Sequence, residues 1–231
     1  MPMGFFDITY LLVIAGALLC MVASGYLKSI YATYAKVQST SGLTGKEVAE
    51  RLLYSQGIFD VTVERITGNL TDHYDPRSKQ VFLSDATYAS TSVAAVGIAA
   101  HECGHACQHH KGYAPLSWRT SLVPAANLGS TIAWPLILLG LLFNNNSSII
   151  FLNIGIIAFS VAVLFQLVTL PVEFDASSRA LKMLGSSGIL NAEEVPLSRK
   201  VLTAAAMTYV AGAASSALQL LRLVLLGNRR R

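Results

Sequence analysis

The chain has 231 residues, 53% of them hydrophobic and only 13% charged, with a net charge of +4. A water-soluble domain carries about 25% charged residues, so half that share cannot coat a soluble surface. The composition excludes a disordered, nucleic-acid-binding or collagen-like chain and points to a lipid-facing one. The 17 Lys+Arg against 13 Asp+Glu then bear on orientation in a bilayer rather than on acidic partners.

Ile8 to Gly25 holds no charged residue. It is predicted to cross the membrane as a retained anchor, because about 20 apolar residues span the hydrocarbon core. Residues 1–7 lack the basic region of a signal peptide. Tyr31 to Lys36 continues as a polar helix. Thr44 and Glu47 form a capping-box pattern for a helix through Val48, Leu52 and Leu53 that stops near Gly57. Val61 to Ile66 alternates as a strand. Leu70 to Tyr74 and Gln80 to Ser84 flank Asp75-Pro76-Arg77-Ser78, a turn with proline pre-set at its second position, so a hairpin is expected. Ala86 to His110 reads as one Ala-rich helix.

Leu122 to Phe143 and Ile149 to Pro171 read as two further spans, joined by the uncharged turn Asn144 to Ser148. They form an antiparallel hairpin, so the chain just before 122 and just after 171 lies on one side of the membrane. Val201 to Leu226 is apolar but rich in small residues and contains Gln219 and Arg222. It either spans or packs on its own domain. Lys and Arg are absent from residues 1–7 and 144–148, whereas nine fall in 26–121 and four in 172–200. The positive-inside rule therefore puts both large loops in the cytoplasm. A tail ending in Arg229, Arg230 and Arg231 is the exception.

The chemistry is concentrated in His101-Glu102-Cys103-Gly104-His105. Residues i and i+4 share a helical face, so both imidazoles can reach one tetrahedral zinc ion. Glu102, rotated about 100° from His101, reaches not the metal but its water, as a general base. Gln108 and Lys111 stand where a metzincin has glycine and histidine, and His109 is too far along a straight helix to be a third ligand. The better candidate is Glu173, which the hairpin topology places on the same side as the histidines, with Asp175 as runner-up. Cys103 and Cys107 face away from the metal as small buried hydrophobes, and Cys20 lies in the first span.

The HExxH helix followed by a Glu-containing helix resembles the gluzincin zinc metallopeptidases. The chain is most similar to the YugP-type neutral zinc metallopeptidases, bacterial membrane proteins related to the HtpX group. The likeness rests on the Leu70 to Pro76 stretch, the HECGH motif, Gly112 to Leu116, Pro171-Val172-Glu173-Phe174 and Ala205 to Val210. It implies His101, His105 and Glu173 as ligands of one Zn2+ per chain and Glu102 as base. The chain departs from the HtpX pattern at Ser177, where that group carries an aspartate that orients a ligand histidine.

The expected fold class is mainly α: a polytopic helical membrane protein with a small zincin-like α+β catalytic domain. Its organisation reads as an anchor (1–25), a cytoplasmic region with the HExxH helix (26–121), a membrane hairpin (122–171), the second ligand helix and loop (172–200), and a fourth apolar helix with a basic tail (201–231). The expected activity is a membrane-anchored zinc endopeptidase at the cytoplasmic face of the inner membrane. Its partners would be the lipid bilayer and a peptide or membrane-protein substrate, with no nucleic acid and the oligomeric state left open. Gln80, Val81, Phe82 and Leu83 are expected to offer the edge strand that a substrate pairs with. His73, Tyr74, Arg179 and Tyr209 are candidates for stabilising an oxyanion. Two other readings compete: a site-2-type intramembrane protease, whose Asn-Pro-Asp-Gly-like motif is missing here, and a non-enzymatic membrane scaffold or metal-handling protein, which has no need of Glu102.

Overall fold

The computed structural model describes residues 7–143 and 146–228, with the side chains of residues 146 and 147 excepted. The turn expected at Asn144 to Ser148 falls partly, and Arg229 to Arg231 wholly, outside the described residues. The described chain contains α1 (Tyr10–Tyr34), α2 (Gly45–Ser55), β1 (Thr62–Ile66), β2 (His73–Asp75), β3 (Gln80–Ser84), α3 (Asp85–Tyr88), α4 (Val93–His110), α5 (Ala114–Leu142), α6 (Asn146–Ser186) and α7 (Glu194–Asn228). They divide into two compact units. One holds residues 1–24, 118–170 and 208–231, and the other holds 25–117 and 171–207.

The first unit is built from apolar helical segments. Helices α1, α5, α6 and α7 are each long and apolar enough to cross a membrane, and the protein is a mainly α, polytopic membrane protein. Leu18, Met21, Val22, Leu138, Ile157 and Leu164 are exposed on these helices, an arrangement that water would penalise and lipid favours. A small core of Ala133, Ile137, Leu152, Ala158 and Leu223 ties α5, α6 and α7 together. Close approach depends on small residues: a Cβ at Gly129 would lie 2.6 Å from the Ala158 carbonyl oxygen. In a membrane, where burial against lipid supplies little driving force, such contacts hold helices together.

The second unit has a water-soluble kind of core. Its three-stranded sheet has the order β1-β3-β2, with β1 parallel and β2 antiparallel to β3. Val81 and Leu83 of β3 pack with Val48, Leu52 and Leu53 of α2, Val96, Ala100 and Cys103 of α4, and Leu184 of α6. The capping box is present: Glu47 N donates to Thr44 Oγ1, and Thr44 N donates to Glu47 Oε2 at 2.8 Å. In the β2–β3 turn, Asp75 accepts from Arg77 N and Ser78 Oγ, each at 2.9 Å. Cys103 and Cys107 are unpaired and buried in this core.

Three expectations are corrected. The helix expected from Ala86 is broken between α3 and α4, because Ser92 caps α4 with its hydroxyl on Ala95 N. There Gln38 and Ser92 form an isolated bridge that ties the break to the chain after α1. Gln80, Val81, Phe82 and Leu83 are not an edge. They form the central strand, with β1 and β2 occupying both of its ladders. Finally, the second ligand helix expected to begin at 172 is not a separate helix, since α6 runs unbroken through Pro171 and carries Glu173 in its interior. Proline costs a helix one backbone bond, but Val172, Ala176, Ala180 and Leu184 form a fully buried stripe at four-residue spacing that keeps the helix in place.

Candidate metal centre

Helix α4 presents His101 and His105 one turn apart, their ring centroids 4.8 Å apart and nearly perpendicular. Almost all of α4 is buried, which its Ala, Gly and Cys residues permit. Gly104 lets α6 approach most closely, because a Cβ there would sit 2.5 Å from the Ala176 carbonyl oxygen. One turn earlier on α6, Glu173 faces the two imidazoles. Its Oε2 lies 3.3 Å from His101 Nε2 and 3.6 Å from His105 Nε2. The donor atoms of the three residues all lie within 4.8 Å of one another. Asp175 is turned to other partners.

The outer nitrogen of each ring is held. His101 Nδ1 lies 3.1 Å from Ser177 Oγ, so the hydroxyl stands where the resemblance led one to look for an aspartate. His105 Nδ1 lies 3.0 Å from Gln108 Oε1. The Gln108 amide nitrogen donates to the Val172 carbonyl at 2.7 Å and to Asp175 Oδ2 at 2.8 Å, which commits its oxygen to accept from His105. Asp175 in turn accepts from Arg179 Nε at 2.5 Å, and the Arg179 guanidinium covers the Tyr113 ring. A chain of contacts from Tyr113 to His105 therefore locks one tautomer.

That tautomer tests whether the residues suit a metal. With Nδ1 protonated, the neutral His105 ring turns its Nε2 lone pair toward a carboxylate oxygen. Glu173 Oε2 is buried and makes no hydrogen bond of normal geometry. Two acceptors face each other, an arrangement that requires a cation or a proton between them. Donors about 2.0–2.1 Å from a tetrahedral zinc ion lie roughly 3.3–3.4 Å apart, close to the 3.3 and 3.6 Å that separate Glu173 Oε2 from the two imidazole nitrogens. Two imidazoles and one carboxylate, with a fourth position left open, also match the donor set of a hydrolytic zinc site. The residues fit.

Glu102 is buried beside this centre, and burial pushes its carboxyl above the ordinary value, more than the neighbouring histidines pull it down. For His105, burial disfavours the charge, yet the Glu173 carboxylate outweighs it and raises the imidazole above 6.5. Protonated His105 cannot ligate. Zinc uptake by chelator-stripped protein is therefore expected to fall on acidification, as protons compete with the metal for His105, and a zinc-binding titration against pH checks it. In the stripped protein the charged His105–Glu173 pair adds stability that is present below pH 6.5 and is lost as pH rises through the raised value.

The other candidates are engaged elsewhere. His73 Nδ1 lies 2.9 Å from the Thr71 carbonyl, and its ring stacks on Phe82. The Tyr74 hydroxyl lies 2.8 Å from His109 Nδ1, and burial, with Asp60 and Asp75 nearby, pushes its pKa up to about 12. Arg179 belongs to the Asp175–Tyr113 chain. Tyr209 falls in the other unit. Sequence reading missed Gln108 and Ser177 as partners of the histidines. A usable signal was present at Gln108, a long amide three residues after His105 on a helix of small residues.

Two substitutions follow from these contacts. Ser177→Ala is expected to lower metal affinity roughly 10–100-fold, measured by competition with a chromogenic chelator. Gly104→Ala must push α6 off α4, and is expected to cost about 1–3 kcal/mol of stability and to weaken metal binding as well.

A helix-borne His-Glu-x-x-His pair joined by a glutamate from a second helix defines a centre of the zinc-peptidase type. The family described as "Putative neutral zinc metallopeptidase" matches residues 9–228, and the chain belongs to that family. A Bacillus subtilis (strain 168) protein named "Putative membrane protease YugP" is 45% identical over 215 residues, covering 93% of this chain and 94% of that protein. No solved structure matches.

Proposed function

We propose that this chain is a membrane-anchored, zinc-dependent endopeptidase whose site faces the cytoplasm. The observation that carries this reading is the convergence of two imidazole nitrogens and one orphaned carboxylate oxygen beside the buried Glu102. His101, His105 and Glu173 would hold one zinc ion, and Ser177 and Gln108 would aim the two rings. The bound ion supplies Lewis acidity for an attacking water and a scissile carbonyl. Glu102 accepts the proton of that water and delivers it to the leaving amine. Its raised affinity for a proton suits both halves of that task.

With β3 enclosed, the outer edge of β2 is the free ladder on the side of Tyr74 and His109. An extended peptide would pair there. Of the four named donors Tyr74 lies on that strand beside helix α4, and its neutral phenol would be the one to meet a developing oxyanion.

The cytoplasmic orientation rests on the distribution of Lys and Arg. A site in water rather than in lipid is supported by α4 itself. It belongs to the soluble-type core, and it is not among the described helices long and apolar enough to span. Labelling of single cysteines placed at Lys111 and Glu193 by a membrane-impermeant maleimide tests this. Labelling only after cytoplasmic access is opened is the expected result, and labelling of intact cells from outside would overturn the orientation.

A further inference from the structure

One charged side chain in the membrane unit has no role in the metal centre. Arg222 lies in α7 and is 9% exposed. Its guanidinium carbon sits 4.0 Å above the Tyr10 ring, and its Nε is buried without a hydrogen-bond partner. Among the described residues it forms no ion pair with a carboxylate. The described part of this unit contains a single carboxylate, Asp7, whose Oδ1 accepts from Thr9 N at the start of α1. A guanidinium in an apolar bundle is expensive to keep, and such residues mark sites where something else supplies the counter-charge.

The surroundings say what that is. Arg222 lines a cavity of about 360 Å3 with Ser215, Ser216 and Gln219 of α7 and with Tyr10, Trp134 and Phe159. Polar donors of α7 therefore accompany the guanidinium, and Val13 with the three aromatic rings forms the rest. The depth is interfacial. Tyr10 begins α1, and Arg222 lies about 9 Å before the end of α7 at 1.5 Å per residue. Gly16 against Ser215 shows the two helices meeting there in antiparallel order. Tyr and Trp favour this headgroup level. An Arg fork beside hydroxyl and amide donors suits a phosphate oxygen pair, and the aromatic wall suits the start of an acyl chain.

We propose that Arg222, with Ser215, Ser216 and Gln219, binds the phosphodiester of an anionic phospholipid at the membrane boundary. The test uses the full chain in an uncharged detergent, with dioleoyl phosphatidylglycerol or inorganic phosphate added at equal concentration, and reads thermal stability. Phosphatidylglycerol is expected to raise the melting temperature of the wild type, inorganic phosphate to leave it unchanged, and Arg222→Met to weaken the lipid response by roughly thirtyfold or more in concentration. Without lipid, Arg222→Met is expected to melt no lower than the wild type, because it removes an uncompensated buried charge. An equal lipid response in Arg222→Met overturns the site, and an equal response to inorganic phosphate overturns the lipid as its occupant. Should the Met variant fail to fold, Arg222→Gln carries the same comparison. Native mass spectrometry of the wild type provides an independent reading: one retained phosphatidylglycerol supports the site, and none overturns it.

Discussion

Replacing Glu102 with Gln is expected to lower kcat/KM on an unfolded casein-like substrate by about 10²–10⁴-fold, the usual contribution of a positioned general base, while zinc stays bound. Glu102 is not among the three residues whose donor atoms converge, so removing its negative charge subtracts no ligand. Gln keeps its volume in a buried position, which limits repacking, but an amide cannot take a proton from water. Loss of activity with retained metal separates the protease reading from a metal-handling scaffold, for which Glu102→Gln would be silent. Survival of wild-type cleavage in Glu102→Gln would remove Glu102 from the mechanism.

The second large effect is expected at Glu173. Glu173→Ala takes away the carboxylate whose Oε2 stands 3.3 and 3.6 Å from the two Nε2 atoms. The remaining pair of imidazoles offers too few donors and no charge to a divalent ion, so tight zinc binding and all cleavage are expected to be lost. Asp175→Ala provides the contrast. Asp175 touches Gln108 and Arg179 rather than the histidines, so its removal loosens the His105 ring at one remove. A weaker but measurable zinc affinity is expected, together with partial activity. Equal losses in the two variants would show that Asp175 shares the ligand role.

How far the sequence could be read depended on how local each feature was. His101, Glu102 and His105 were legible because one helix turn relates them, whatever the rest of the chain does. Glu173 was legible at one further step, from the expectation that two apolar spans joined by a short turn bring residue 173 back to the side of the HExxH helix. Ser177 was not, because its contact with His101 depends on how closely α4 and α6 pack, and Gln108, three residues from His105 on one helix, was missed because Val172 and Asp175 of α6 are what orient its amide. That closeness is set by Gly104 against the Ala176 carbonyl.

The sheet order was missed for a related reason. A hairpin between β2 and β3 follows from a local turn, whereas the parallel pairing of β1 with β3 joins strands that are separated in the chain by all of β2. Proximity of Gln80 to Leu83 to the zinc-peptidase helix in sequence suggested an edge, and the long-range pairing enclosed it. At Pro171 a local rule gave way to packing: a proline that would end an isolated helix is carried through by the buried stripe from Val172 to Leu184.

In the proposed site His101, His105 and Glu173 together hold a metal ion on which Glu102 acts without being a ligand. Elemental analysis of the purified wild type, Glu102→Gln and Glu173→Ala, prepared side by side, tests it most directly. One zinc per chain is expected in the first two and none in the third. Zinc retained at full occupancy in Glu173→Ala, or lost from Glu102→Gln, would contradict it.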